Sequence, residues 1–430
     1  MAALLAVAAP AAPRPAPGAL RLPQVGVRQN GDASGLDAIE RRAADAIRAY
    51  SAEGHHRTAT AVDRASADAL LVRARAAGAA ASLEPFGLPR VDTAAAFVQI
   101  EGRRIDGLPM FDGAFTGPGG VAGGIGPVGG DRPIAWTRVA PNGEAALRKM
   151  REGSRHAAIV AVTMGAKSGL CPVNAGWFNK PFGPPVLQVS SEHLAAFEAA
   201  SSSNLEVRVV AHATRQRAQA FNVVSEVRGA DPALPPVCVM TPRSGWHANA
   251  SERGGGLACW LETMRAVVAA RGPADVGRHV RGEGERGLLR TVKFVASSGH
   301  ELGHLGLHDY LTRNPTLAHD AFGWIHLGAN IGTSTGDIGM TPSDERLRDA
   351  ALRAFAPHRL DTIRQSQAAQ VGGEAATIQE KDGRFISFIG RNDWFHNPGD
   401  LWPDAVDIQA VARFARAVAD LALLLANTPT

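Results

Sequence analysis

"TVKFVASSGHELGHLGL", residues 291–307, is the stretch whose reading decides the fold. Residues 290–297 are a short apolar run suited to a buried strand, and a helix is expected from about 301. A strand that passes straight into a helix is the repeating unit of an α/β layer fold. The same stretch holds His300, Glu301 and His304 as His-Glu-x-x-His. On a helix that spacing puts two imidazoles on one face, where they hold zinc while the glutamate serves as base.

Downstream and upstream of this point the rhythm repeats. "NVVSEVRG" (222–229), "PVCVMTP" (236–242) and "FGWIHLGANIG" (322–332) read as strands. "GGGLACWLETMRAVVAARG" (254–272) reads as a helix with Leu257, Trp260, Leu261, Met264 and Val268 on one stripe, and 406–427 as a long amphipathic helix. Such alternation predicts an α/β fold with a mostly parallel mixed sheet, whose ligand sites lie beyond the carboxyl ends of the strands. The loops after those ends are "PRSGWHANASERGGG", "SSGHELGH", "GANIG" and "WFHNPGD". Earlier in the chain, helices are expected near 36–50 and 65–78, with "SLEPFGL" as a strand. The Gly- and Pro-dense stretch 110–133 marks a boundary. The expected organisation is a flexible lead at 1–30, a first part of the main domain at 31–108, an inserted β-rich domain at 109–214, and the rest of the main domain at 215–430.

The four loops, in this order, resemble those of the co-catalytic zinc exopeptidases of the bacterial leucyl aminopeptidase and aminopeptidase Y type. The insert resembles a protease-associated domain, best in "GPPVLQVSSEHLAAF". The resemblance implies a three-layer zinc-exopeptidase-like domain and hydrolysis of an amide or peptide bond in a small substrate. It makes Glu301 a zinc ligand, puts His300 at the general-base position, and makes His396 of "FHNPGD" a ligand, followed by Asp400. The pattern is otherwise broken. Pro242 and Ser244 stand where the family has His-x-Asp, Glu252 is the nearest carboxylate to the bridging position, and Ala329 or Asn330 replaces a ligand aspartate.

Three arrangements follow. A zincin-like site would use His300 and His304, with Glu301 as base and a third histidine. A remodelled site of at most one zinc would use Glu301, His396, His247 and His304, with Glu252 or His300 as base; one zinc suffices to lower the pKa of bound water towards about 7. A metal-free pocket would bind a peptide or small ligand, or use His300 for acid–base work. Arg253, Ser244 and Asn330 are candidate substrate contacts, and His326 is read as a core or supporting histidine. Near the start, Arg57 and Asp63 are expected to pair and His55 and His56 to lie on the surface.

Bulk composition narrows the partners. With 45 Lys and Arg against 41 Asp and Glu, spread without a dense basic run, nucleic acid is not expected. No apolar run reaches the ~18 residues of a membrane helix. Cys171, Cys238 and Cys259 are too few and unpaired in spacing for a disulfide framework. The opening "MAALLAVAAPAAPRPAPG" lacks the positive residues that precede a signal sequence, which favours a cytoplasmic location over export.

Overall fold

The computed structural model describes residues 37–271 and 288–429, so the expected lead at 1–30 lies outside the described residues. The chain runs α1 (Ala38–Ala52), α2 (Ala61–Ala76), β1 (Ala81–Ile100), β2 (Arg103–Pro109), β3 (Val121–Pro127), β4 (Ile134–Val139), α3 (Glu144–Arg151), β5 (Ala158–Thr163), β6 (Val186–Ser190), α4 (Leu194–Ser202) and β7 (Glu206–Val227). It continues through β8 (Val237–Pro242), α5 (Gly255–Arg271), β9 (Val292–Ser297), α6 (Leu305–Arg313), α7 (Leu317–Asp320), β10 (Gly323–Leu327), β11 (Ile338–Pro342), α8 (Glu345–Phe355), β12 (Arg364–Gln365), α9 (Glu374–Gln379), β13 (Phe385–Gly390) and α10 (Ile408–Ala426).

The main sheet has the order β1-β7-β9-β8-β10-β13-β11-β12. Its centre, β9-β8-β10-β13, is parallel, and β7 and β11 join antiparallel on either side. Every residue of β8 and β10 is buried, as helices on both faces require. Side chains alternate between two cores. Val239, Phe294, Ile325 and Ile386 meet α1, α5, α8 and α10 on one face. Cys238, Met240, Val295 and Trp324 meet α6, α7 and α9 on the other. This is a three-layer α/β arrangement. The glycines opening α5 let it lie close to the sheet, since a Cβ on Gly255 would overlap the Ile331 carbonyl. Asp37 caps α1 through a reciprocal box with Glu40.

β1 and β7 pair along almost their whole length and run out of the main sheet. There β1 pairs with β2 and β7 with β3, and the order β2-β6-β5-β4-β3 completes a β-rich lobe. β2, which begins at Arg103, before residue 109, belongs to that lobe through β6. One apolar cluster of the lobe also takes in Trp246, Leu302 and Leu305. The lobe is thereby packed against the turn that follows β9. All three cysteines are buried free thiols. Among the described residues no helix is long and apolar enough to cross a membrane.

Candidate functional site

The loops after β8, β9, β10 and β13 meet at one end of the sheet. After β9 the helix does not start at about 301 as expected. Gly299 has φ +83°, a single 3-10 turn covers His300–Leu302, and Gly303 (φ +79°) and His304 (φ +59°) are left-handed; α6 begins at Leu305. The His-Glu-x-x-His spacing is therefore not helical, and its two imidazoles are not displaced by one helical turn on a common face. The rings stack instead, with centroids 5.0 Å apart at 29°.

Adjacent residues of this turn serve different cavities. Glu301 lines a small one with Arg57, Thr58 and Phe111. Both its oxygens are engaged: Oε1 accepts from the Thr58 amide (2.9 Å) and hydroxyl (2.6 Å), and Oε2 accepts from Ser244 Oγ (2.7 Å). Burial raises the pKa of this carboxyl, against the pull of those bonds. Ser244 Oγ in turn accepts from the Gly299 and His300 amides, so it caps the turn.

A sealed charge cluster occupies the centre. Asp400 accepts from the Ser251 amide (2.8 Å), the Ser251 hydroxyl (2.7 Å) and the Glu252 amide (2.9 Å), fixing the π-helical turn Ala250–Gly254. Burial pushes its carboxyl up to about 7. Glu252 accepts from the His396 amide and forms an ion pair with Arg253 at 2.9 Å. His396 Nε2 lies 3.5 Å from the same carboxylate, and its Nδ1 is 2.6 Å from the Pro172 carbonyl. Arg253 Nε donates to the Ser244 carbonyl (2.9 Å). Glu252 and Arg253 are both fully buried, so neither is placed as a solvent-facing base or substrate arginine.

Beside this cluster a cleft of about 720 Å³ opens, lined by His300, His304, His326, Asn330, Asn392 and Phe395, with Glu144 of the lobe at its rim. Asn330 is tied on both ends of its amide, to the Gly390 carbonyl and to Asn392. His304 Nδ1 is 3.0 Å from Thr377 Oγ1, and His326 Nδ1 is 2.8 Å from Ser387 Oγ. His300 Nδ1 is 3.8 Å from Glu374. Burial holds these imidazoles neutral: His300 well below its ordinary value, His304 at about 3 and His326 at about 4. One short helix, α9, thus backs the cleft, with Glu374 towards His300, Thr377 on His304 and Gly373 against His326. Glu374 was not foreseen from the sequence, where "VGGEAAT" has no recognisable pattern; a carboxylate directly after two glycines was the available signal.

The remaining expectations resolve as follows. His247 does not line the cleft; its Nε2 is 3.0 Å from the Leu170 carbonyl. Asp63 pairs with Arg243, not Arg57. His56 is fully buried and stacks on Tyr50, not on the surface. Glu301, His396, His247 and His304 do not come together as ligands of one ion. Among the described residues no group of three or more His, Cys, Asp or Glu side chains is arranged to hold a metal. The reason is chemical. Both oxygens of Glu301 are taken by Thr58 and Ser244, and a guanidinium lies 2.9 Å from Glu252. Among the described residues His247 Nδ1 and His396 Nε2 are left without a hydrogen-bond partner, but they are not grouped with a third donor as catalytic zinc needs.

No model of a known protein family matches this chain, and no curated protein matches it. Solved structures do match its fold. A zinc aminopeptidase from Bacillus subtilis aligns with a TM-score of 0.68 at 16% identity, over 89% of this chain and 94% of that one. An aminopeptidase from an Aneurinibacillus species gives 0.66 at 14% identity, over 89% and 92%. A peptidase precursor from Shewanella amazonensis gives 0.70 at 14% identity, over 91% and 96%. At these identities the likeness is one of fold, and the mixed α/β sheet flanked by helices is that of these aminopeptidases.

Proposed function

We propose that this chain binds a peptide or another small polar ligand in the histidine-lined cleft, on an aminopeptidase fold that works without zinc. The carrying observation is Arg253. Its guanidinium, permanently charged and fully buried, joins Glu252 to the Ser244 carbonyl, and Glu252 in turn meets His396. These are three of the positions that the resembled family gives to metal ligands. A buried carboxylate has to be neutralised, and here an internal cation does it. A divalent ion at the same place would face that cation at close range in a dry site, which is strongly unfavourable.

Metal-independent amide hydrolysis is a second reading, favoured by one observation. Glu374 stands 3.8 Å from His300 Nδ1 and does not line the cleft, while His300 does. At that distance the carboxylate does not hydrogen-bond the ring, but its charge would favour the imidazolium formed when His300 takes a proton from water or substrate.

The test is elemental analysis of protein dialysed against zinc and then against plain buffer, combined with calorimetric titration of short peptides and assay of aminoacyl anilides. Substoichiometric zinc, unfolding unaffected by chelator, saturable peptide binding that His326→Ala weakens, and no turnover are expected. Chelator-resistant turnover lost in His300→Ala would move the assignment to the second reading. Stoichiometric zinc required for turnover would end both.

A further inference from the structure

The small cavity on the Glu301 side of the turn holds an unexplained charge. Arg57 leaves the loop between α1 and α2 and lines a space of about 240 Å³ with Thr93, Val91, Phe111 and Leu302. Its Nε is shielded from solvent and has no hydrogen-bond partner among the described residues. None of their carboxylates reaches its guanidinium as an ion pair. The two nearby candidates are spent: Asp92 is held by Arg90 through both oxygens, at 2.7 and 2.9 Å, and Glu301 by Thr58 and Ser244. Arg57 as a whole is half-buried, and Nε is the donor left shielded and unmatched; a shielded donor of this kind is normally satisfied.

We infer that this cavity binds a small carboxylate with a short aliphatic tail. The carboxylate accepts from Arg57, and the tail lies against Val91, Phe111 and Leu302. Charge-assisted pairing to a guanidinium gives the head group its selectivity. The apolar wall favours a carbon chain over a bare oxyanion. Such chemistry comes either as a free monocarboxylic acid or as the C-terminal residue of a peptide. The cavity shares none of its lining with the histidine cleft, so the inference stands apart from the function proposed above.

Calorimetric titration of the whole protein with butyrate, N-acetylalanine, butyramide and inorganic phosphate tests it. Butyrate binding identifies a free acid, and tighter binding of N-acetylalanine a peptide end. Either is expected in wild type, at least about tenfold weaker in Arg57→Gln, as the loss of one charge-assisted bond implies. Thr93→Glu changes an exposed residue at the same cavity and keeps the arginine; it is expected to abolish binding by supplying a competing carboxylate. Circular dichroism confirms that each variant is folded. The inference is overturned if neither carboxylate binds wild type, if butyramide or phosphate binds as well as butyrate, or if both variants bind like wild type.

Discussion

The charge cluster around Arg253 and the cleft beside it are built from neighbouring loops, yet they treat polar atoms in opposite ways. In the cluster, buried charges are paired within the protein: Asp400 takes three hydrogen bonds and Glu252 lies 2.9 Å from Arg253, although Glu252 Oε1, Arg253 Nη1 and His396 Nε2 have no hydrogen-bond partner among the described residues. In the cleft, each histidine is tied by one ring nitrogen at most, and His326 Nε2 has no partner among the described residues. Asn392 is the wall between them, donating to Ser251 on one side and to Asn330 on the other. The difference separates structure from recognition. Paired buried charges hold loops in place; neutral groups beside an open cleft are placed to meet ligands.

Breaking the charge-paired side should have the largest effect. Arg253→Met removes the cation and leaves the Glu252 carboxylate buried without an ion-pair partner. A loss of about 3–5 kcal/mol is expected for breaking such a pair. Urea unfolding measures it, and Arg253→Lys should recover part of the loss. If Arg253→Met costs less than about 1 kcal/mol, the cluster is not the internal brace described here. The same protein is the sharpest place to look for gained zinc, because the repelling charge has gone.

Much of the fold was legible and the site was only partly so, for physical reasons. β8, β9 and β10 are legible because both faces are covered, which leaves short, largely apolar runs interrupted only by residues such as Lys293 and His326. β1 was seen only in part. Pro85 and Pro89 disguise it, and they are tolerated because that half of β1 pairs with β7 alone and forms an edge. In the site, loop order showed which segments would meet but not where side chains would point. Gly299 and Gly303 frame the turn, but the sequence pattern reads as a helix from about 301. That their left-handed turn would send His300 and Glu301 into different cavities depends on Thr58 and Ser244, which lie far away in the chain.

A smaller effect is expected at that turn. Glu301→Gln keeps the shape but sets an amide N–H₂ against donors of Thr58 or Ser244. One buried donor left unmatched costs about 1–3 kcal/mol. Thermal and urea unfolding should show this loss with zinc content unchanged, whereas a ligand glutamate would change zinc content as well. On the cleft side, His304→Ala gives up one hydrogen bond to Thr377, about 0.5–1.5 kcal/mol. Its main consequence should be weaker ligand binding. A larger loss of stability in His304→Ala than in Glu301→Gln would reverse the assignment of Glu301 to bracing and His304 to the open cleft.

The smallest effect is a pH dependence at the rim. Glu144 opens α3 of the lobe and faces the cleft. Burial first, and the Asp112 carboxylate next, push it from 4.5 up to about 7, against a backbone hydrogen bond at Gly176. The folded protein therefore holds this proton after the unfolded chain has released it. Between those two values the folded state binds more protons, so the contribution of Glu144 to stability falls as pH rises. It is fully present below 4.5 and has gone above about 7. The buried neutral histidines act in the opposite sense, because the unfolded chain protonates near 6.5 and they do not. The quantity to measure is thus the difference between wild type and Glu144→Gln, from urea midpoints across pH 4 to 8, since the histidines are common to both. Wild type should lose ground steadily to the glutamine variant up to about pH 7 and then run parallel to it. A constant difference across the whole range would mean that Glu144 keeps an ordinary carboxylate environment in the folded protein.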